Sequence, residues 1–323
     1  MAALTHDCHV HLVGNGGSGS GCWLRLDGLW HRLLARAMVS EAGIGASASD
    51  PGFDEAYERS ITAMLAGSGL DRALLLAQDE VYHEDGRKAD FGSFHVPNDH
   101  LFAVCRRHPS FLPAVSIHPG RPGAMEELER CLALGARALK LLPNCQNVDC
   151  SLPQYRPFWE KMAASGLPLL SHTGGELTVP VFNRAFEDPR VLRRPLELGM
   201  KVIAAHGASS SIPWSRGHFH ELLALMDEFP RLYADTSALN SPVRSAILRD
   251  ILACRHRDRF LHGSDHPVPV GAVWPWLRGV IGSEARRAAA AEGNPLARDR
   301  MLKQASGFGP EHFTRLAEVL RPL

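Results

Sequence analysis

The sequence is short of several things. It has no CxxC pair, and its seven cysteines are odd in number. That fits reduced thiols in the cytoplasm better than a disulfide framework. It has no excess of either charge: Lys+Arg and Asp+Glu are 35 each, for a net charge of zero. Nucleic-acid binders and membrane-surface proteins usually carry a basic excess, so neither kind of partner is expected. No apolar run approaches the ~18 residues of a membrane span. Met1–Leu12 carries Asp7 and three histidines where a signal peptide needs a basic start and an apolar core. HExxH is missing, since His83-Glu84 and His220-Glu221 both lack the second histidine, and there is no GxSxG elbow. Hydrophobic residues at 45% and charged residues at 22% are ordinary for a globular chain. What is plentiful is histidine: 17, against four tyrosines and six tryptophans.

No sequence repeat is visible, but there is a rhythm. Short apolar runs, often β-branched, alternate with longer amphipathic stretches. The runs predict eight strands: Leu4–Leu12, Ala73–Ala77, Phe111–Ile117, Ala136–Leu142, Pro168–His172, Lys201–His206, Leu232–Thr236 and Arg259–Ser264. Between them lie helical patterns such as Asp54–Ala66, Pro97–His108, Met125–Leu134, Gln154–Ser165, Pro189–Leu198, Phe219–Phe229 and Val243–Cys254. Strands this apolar, separated by helices, are buried parallel strands of βα units. Gly135, Gly166, Gly199 and Pro230 punctuate helix ends just before the next strand. The 323 residues allow two ordinary domains or one large barrel. Seven βα steps between His9 and Asp265 average about 37 residues, comfortable for a (β/α)8 TIM barrel. The expectation is one α/β barrel domain over 1–323. It has a long loop insertion after strand one, Val13–Pro51, as a cover over the barrel mouth, with Trp23 and Trp30 as apolar bodies. C-terminal closing helices follow from Leu296 to Leu323, split at Gly307–Pro310.

The sharpest local signal is Asp7-Cys8-His9-Val10-His11. Side chains alternate along a strand, so His9 and His11 face one side and can share a metal ion, while Cys8 points the other way. His218-Phe219-His220 is the control: at a helix start, residues two apart diverge, and that pair is expected to be surface structure. Further polar residues fall where apolar strands end. Lys140 lies in strand four, His172 ends strand five, His206 ends strand six and Asp265 follows strand eight. Barrel enzymes assemble their sites at those C-terminal strand ends. Buried polar groups are costly unless partnered, so folding alone does not explain these four and the strand-one pair in consistent positions.

With these motifs the sequence resembles the amidohydrolase superfamily, in its amidohydrolase-related branch, which includes decarboxylases of the aminocarboxymuconate-semialdehyde type. The resemblance runs from Asp7-Cys8-His9-Val10-His11 to His262-Gly263-Ser264-Asp265-His266-Pro267. It implies a (β/α)8 barrel with zinc, one ion rather than two, another divalent metal being an alternative. By position it implies His9, His11, His172 and Asp265 as metal ligands. It makes His206, with Asp265, a catalytic residue that polarises substrate or binds a second metal. Lys140 matches a strand-four lysine that some binuclear members carry as a carbamate; here it is expected to be unmodified. Lys303–Leu323 lacks the Asn-containing helix start of this branch, so nothing is carried over there.

The residue types suit the chemistry. Zinc favours neutral imidazole and carboxylate with one position left open for water, which then ionises near pH 7. Asp265 can serve as ligand and as the base that steers the proton. The expected function is metal-dependent hydrolysis of a small organic amide, ester or lactone. The alternative is decarboxylation of an aromatic or unsaturated acid at the same metal. The expected partner is a small-molecule substrate, with self-association into a homo-oligomer left open.

Lesser signals complete the reading. Gly14-Asn15-Gly16-Gly17-Ser18-Gly19 matches GxGxxG, but Gly19 and Gly21 would break the helix a dinucleotide site needs, so it reads as a mouth loop. His118, beside Pro119 and Arg121, is either a substrate-binding group or part of a turn. Glu176, in Gly174-Gly175-Glu176, shapes the site wall and is a candidate for touching substrate. Asp235, ending strand seven, is expected to hydrogen-bond a neighbouring site residue.

Overall fold

The computed structural model describes residues 3–211 and 217–321. Among these residues ten strands are formed: β1 (His6–His11), β2 (Trp23–Leu24), β3 (Arg72–Leu76), β4 (Phe94–His95), β5 (Phe111–Val115), β6 (Ala138–Leu141), β7 (Leu169–Ser171), β8 (Val202–Ala204), β9 (Leu232–Asp235) and β10 (Phe260–Leu261). Eight of them make one sheet in the order β1-β3-β5-β6-β7-β8-β9-β10. Every neighbouring pair in it is parallel. The sheet closes on itself through the segment after β10. Cys8 N donates to His262 O at 2.9 Å, His11 N to His266 O at 2.8 Å, and Asp265 N to His9 O at 2.8 Å. This is an α/β barrel of the TIM type, with helices between the strands as the alternating pattern requires.

The strand period sorts the core into two layers. Leu75, Leu139, Leu169 and Val202 pack outward beneath the helices. Leu74, Leu76, Ala114, Leu170 and Ile203 point inward and fill the barrel. Lys140 and His172 lie two residues beyond the inward-facing Ala138 and Leu170, so they emerge on the inner face one layer higher.

β1 departs from simple alternation. Asp7 pairs with Ala73, but Val10 pairs with Leu75, so one extra residue is inserted between them. This bulge turns Cys8 into the inner layer beside Leu74. The expectation that Cys8 points away from the site side is therefore corrected. Its thiol lies inside the barrel, 3.8 Å from Asp235 Oδ2.

The insertion after β1 has more regular structure than a loop. β2 pairs antiparallel with β4. A helix, α1 (Gly28–Glu41), follows, and α2 (Phe53–Gly67) takes the place of the expected first helix. Glu41 Oε1 accepts from Arg298 Nη1 at 2.6 Å, tying the end of α1 to the helix Pro295–Ala305. The Gly14–Gly19 run starts no helix. Asp54 pins it, accepting from Asn15 N at 2.6 Å and from the Ser18 and Ser20 hydroxyls. The side chain of Trp30 lies outside the described residues.

The C-terminal part forms three helices rather than two: Pro295–Ala305, Pro310–Thr314 and Leu316–Val319. Asn294 caps the first, its side chain accepting from Leu296 N and Ala297 N. This Asn-capped start precedes Lys303–Leu323, the stretch that has none. Among the described residues, no helix is long and apolar enough to cross a membrane.

Candidate metal centre

The ends of β1, β6, β7, β8 and β10 bring the candidate side chains to one mouth of the barrel. His9 Nε2 is 3.2 Å and His11 Nε2 3.3 Å from the same oxygen, Asp265 Oδ1. Lys140 Nζ is 3.1 Å from His9 Nε2. A second group stands against the first: His206 Nε2 is 3.1 Å from His172 Nδ1, and His206 Nδ1 is 3.8 Å from Asp265 Oδ2. Donor atoms of His9, His206 and Asp265, all three buried, lie within 4.8 Å of one another. Of the expected ligands, His9 and Asp265 are in this trio. His206 joins them, while His11 touches the trio through Asp265 and His172 through His206.

His206 reaches the site by backbone conformation, not by strand alternation. Ile203 and Ala205 face inward, so an extended chain would turn His206 outward. Instead His206, Gly207 and Ala208 all have positive φ, at 60°, 56° and 53°. Such a left-handed turn is unfavourable for residues with a β-carbon, at about 1–2 kcal/mol each. Asp235 helps to hold it, accepting from His206 N at 2.7 Å. Asp265 also sits at positive φ, 69°, a region aspartate tolerates better than most residues.

Asp235 is the organiser beneath the site. Its Oδ2 accepts from His9 Nδ1 at 2.8 Å, and its Oδ1 takes both His206 N and Ser237 N. With His9 Nδ1–H committed there, the Nε2 lone pair is left facing Asp265 and Lys140. On His206, Nδ1 is 2.8 Å from the Ser237 hydroxyl.

The charge states suit a cation. Burial lowers the pKa of His9, and the Lys140 charge adds to it, so the imidazole is neutral. Burial likewise lowers His172, to about 4. Burial opposes ionisation of Asp265, but the electrostatic surroundings, the Arg244 guanidinium among them, outweigh it, and its pKa falls to about 2. Burial brings the Lys140 amine down to about 8, against the pull of Asp265 and Asp235, so it is mostly charged at neutral pH. Neutral imidazoles beside an ionised carboxylate form a donor set that zinc favours. At metal–ligand bonds of ~2.0–2.2 Å, the corners of a tetrahedron lie roughly 3.3–3.6 Å apart. The two nitrogen-to-Asp265 separations are close to that.

The chain also matches the family model described as "Amidohydrolase" over residues 6–297. It belongs to the amidohydrolase family. Solved structures share the fold at low identity. An uncharacterized TIM-barrel protein of Bordetella bronchiseptica is 18% identical, with 94% of this chain and 99% of that one covered and a TM-score of 0.57. The 5-carboxyvanillate decarboxylase of Sphingomonas paucimobilis is 16% identical, with both chains fully covered and a TM-score of 0.56. A probable 2-pyrone-4,6-dicarboxylic acid hydrolase of Acinetobacter baumannii is 12% identical, covering 94% and 99%, with a TM-score of 0.54. No curated protein matches the chain. Amidohydrolases are metal-dependent enzymes, and among the described residues His9, His206 and Asp265 form a group able to hold an ion.

The other sequence candidates divide. Glu176 is buried beside the centre, its Oε2 3.6 Å from His172 Nδ1, and with His11, Lys140 and Asp265 it lines a cavity at the barrel mouth. His118 is fully buried and away from that cavity. Its Nδ1 accepts from Gly120 N and its Nε2–H donates to Gln146 O, so both nitrogens are used within the protein. Arg121 pairs with Asp79 at 3.1 Å. His218 starts the helix Phe219–Glu228 and lies 3.8 Å from Asp188, outside the cluster.

Two contributors escaped the sequence reading. Buried Arg244 donates to Gly175 O at 2.7 Å and Ser209 O at 3.0 Å, holding together the loops after β7 and β8. Its only sequence signal is a charge in an otherwise apolar helix start. Asp7 Oδ1 accepts from His9 N at 3.0 Å and Ser264 N at 2.9 Å, clamping the two ligand-bearing segments together. The spacing of the Asp-Cys-His motif carried that signal.

Proposed function

We propose that the protein is a metal-dependent hydrolase acting on a small organic amide, ester or lactone. Zinc is the preferred ion and would be held by His9, His11, His172 and Asp265, leaving His206 free for substrate. Asp265 carries the reading. It is an ionised carboxylate against both β1 histidines, with its second oxygen 3.8 Å from His206, and it lines the cavity at the barrel mouth. A metal bound there supplies Lewis acidity and lowers the pKa of water. Asp265 takes the proton of the attacking water and returns it to the leaving group. His206, exchanging a protein partner for substrate, donates to the oxygen on which charge develops. Lys140, as an ammonium, offsets negative charge formed beside it. The seven cysteines are free thiols, and on that ground we assign the enzyme to the reducing cytoplasm.

The two named neighbours are a decarboxylase and a probable hydrolase, so the test must separate these reactions. Zinc-loaded protein is offered esters, lactones, amides and aromatic acids, with acid release and carbon dioxide release measured separately. Hydrolysis that is lost on chelation and restored by metal is expected. Carbon dioxide from the aromatic acids, with every hydrolysable compound left intact, would overturn the reading.

A further inference from the structure

We propose that the cavity between α1 and the barrel mouth receives an uncharged, apolar substrate body. That body is a single ring or a short branched chain, with the hydrolysable group as its one polar end. The proposal rests on the hydrolase reading above and adds the class of substrate.

The first observation is the two-faced character of α1. Arg32, Arg36 and Ser40 on one face are exposed. Leu34, Ala35, Met38 and Val39, at helical spacing on the other, are only half-buried and line the cavity. A helix laid there for packing alone would bury that face completely. The second is continuity, because His11, Lys140 and Asp265 line the same cavity. A molecule held against α1 therefore presents its other end to the metal centre.

The third observation is where charge lies. Among the described residues lining the cavity, histidines aside, the fully charged side chains are Lys140, Glu176 and Asp265; Lys140 lies in β6, and the other two follow β7 and β10. The α1 side is answered by Phe94 and Val268, not by a counter-ion. A carboxylate at the remote end of a substrate would lose its water there and meet no lysine or arginine; the one polar ring on that side, His31, has its Nδ1 engaged at 2.7 Å with Asp27 O. Size follows from a cavity volume of about 120 Å³. An apolar cavity of ~150 Å³ accepts benzene, so this one is on the scale of a single ring or a similar group.

The test uses the zinc-loaded full chain and two esters that differ only at the far end of one ring: methyl benzoate and its para-carboxylate. The neutral ester should be preferred in kcat/KM on the order of 100-fold. Calorimetry with benzyl alcohol and para-carboxybenzyl alcohol reads binding without turnover; the first should bind and the second should not. Met38→Arg places a counter-charge in the wall and should narrow the ester preference at least ~10-fold, and Leu34→Arg repeats the test one turn away. Equal use of the two esters, preference for the carboxylate, or an unchanged ratio in both arginine variants would overturn the proposal. If neither ester is cleaved but benzyl alcohol alone binds, the assignment of the cavity stands, and the hydrolase reading is decided by the wider set of esters, lactones, amides and acids.

Discussion

His9 Nδ1 donates to Asp235 Oδ2 at 2.8 Å, with both side chains fully buried. One carboxylate on β9 thereby sets the tautomer of a proposed metal ligand on β1, and through His206 N it also anchors the turn after β8. Replacing Asp235 by Asn keeps the shape but removes the charge. It also sets an amide N–H₂ against a donor on one side or the other. Metal affinity should fall about 10–100-fold, read by competition with a chelator. Unchanged affinity would show that Asp235 serves only the fold.

Asp265→Asn should cost far more rate than substrate affinity. Asparagine keeps an oxygen for the metal but cannot take a proton at neutral pH. A drop in kcat of about 10²–10⁴-fold with little change in KM is expected, or roughly 2.7–5.4 kcal/mol of barrier. Steady-state kinetics alongside metal analysis decides it. Full metal content with near-normal kcat would move the proton-accepting role to His206.

Lys140, 3.1 Å from His9 Nε2, should be an unmodified amine. Metal analysis should then find one ion per chain, and Lys140→Gln should leave that content unchanged. Two ions per chain, with one of them lost in the variant, would instead identify a carbamate ligand.

His118 gives the stability a pH dependence of known sign. Burial lowers its pKa from the ordinary 6.5 to about 4, against the raising effect of its bond to Gln146 O. Between those values the unfolded chain takes up a proton that the folded chain refuses. The contribution is intact above 6.5 and is lost as the pH falls towards 4, at up to about 1.4 kcal/mol per pH unit. Urea denaturation from pH 7 to 4.5 should show this fall, and His118→Asn should make it shallower. An identical slope in the variant would show that His118 does not carry it.

Much of this protein was legible in its sequence because much of it follows from period and punctuation. Eight apolar runs between helical patterns can close only as parallel βα units. Alternation along β1 aims His9 and His11 at one side, and polar residues ending apolar runs mark the face where a site assembles. Local chemistry settled these points, and a linear chain displays its local chemistry. Three-dimensional closure decided the rest. The bulge in β1 is visible only as a mismatch of register with β3, and it moved Cys8 into the barrel. His206 entered the ligand trio through a left-handed turn that alternation would not allow, held by a carboxylate 29 positions away. Arg244 and Asp7 act by joining backbones from distant loops. The glycine-rich insertion carried a helix whose apolar face becomes meaningful only once the barrel mouth lies beneath it. Each of these depends on which segments meet in space, a relation set by packing the whole chain and absent from any stretch of it.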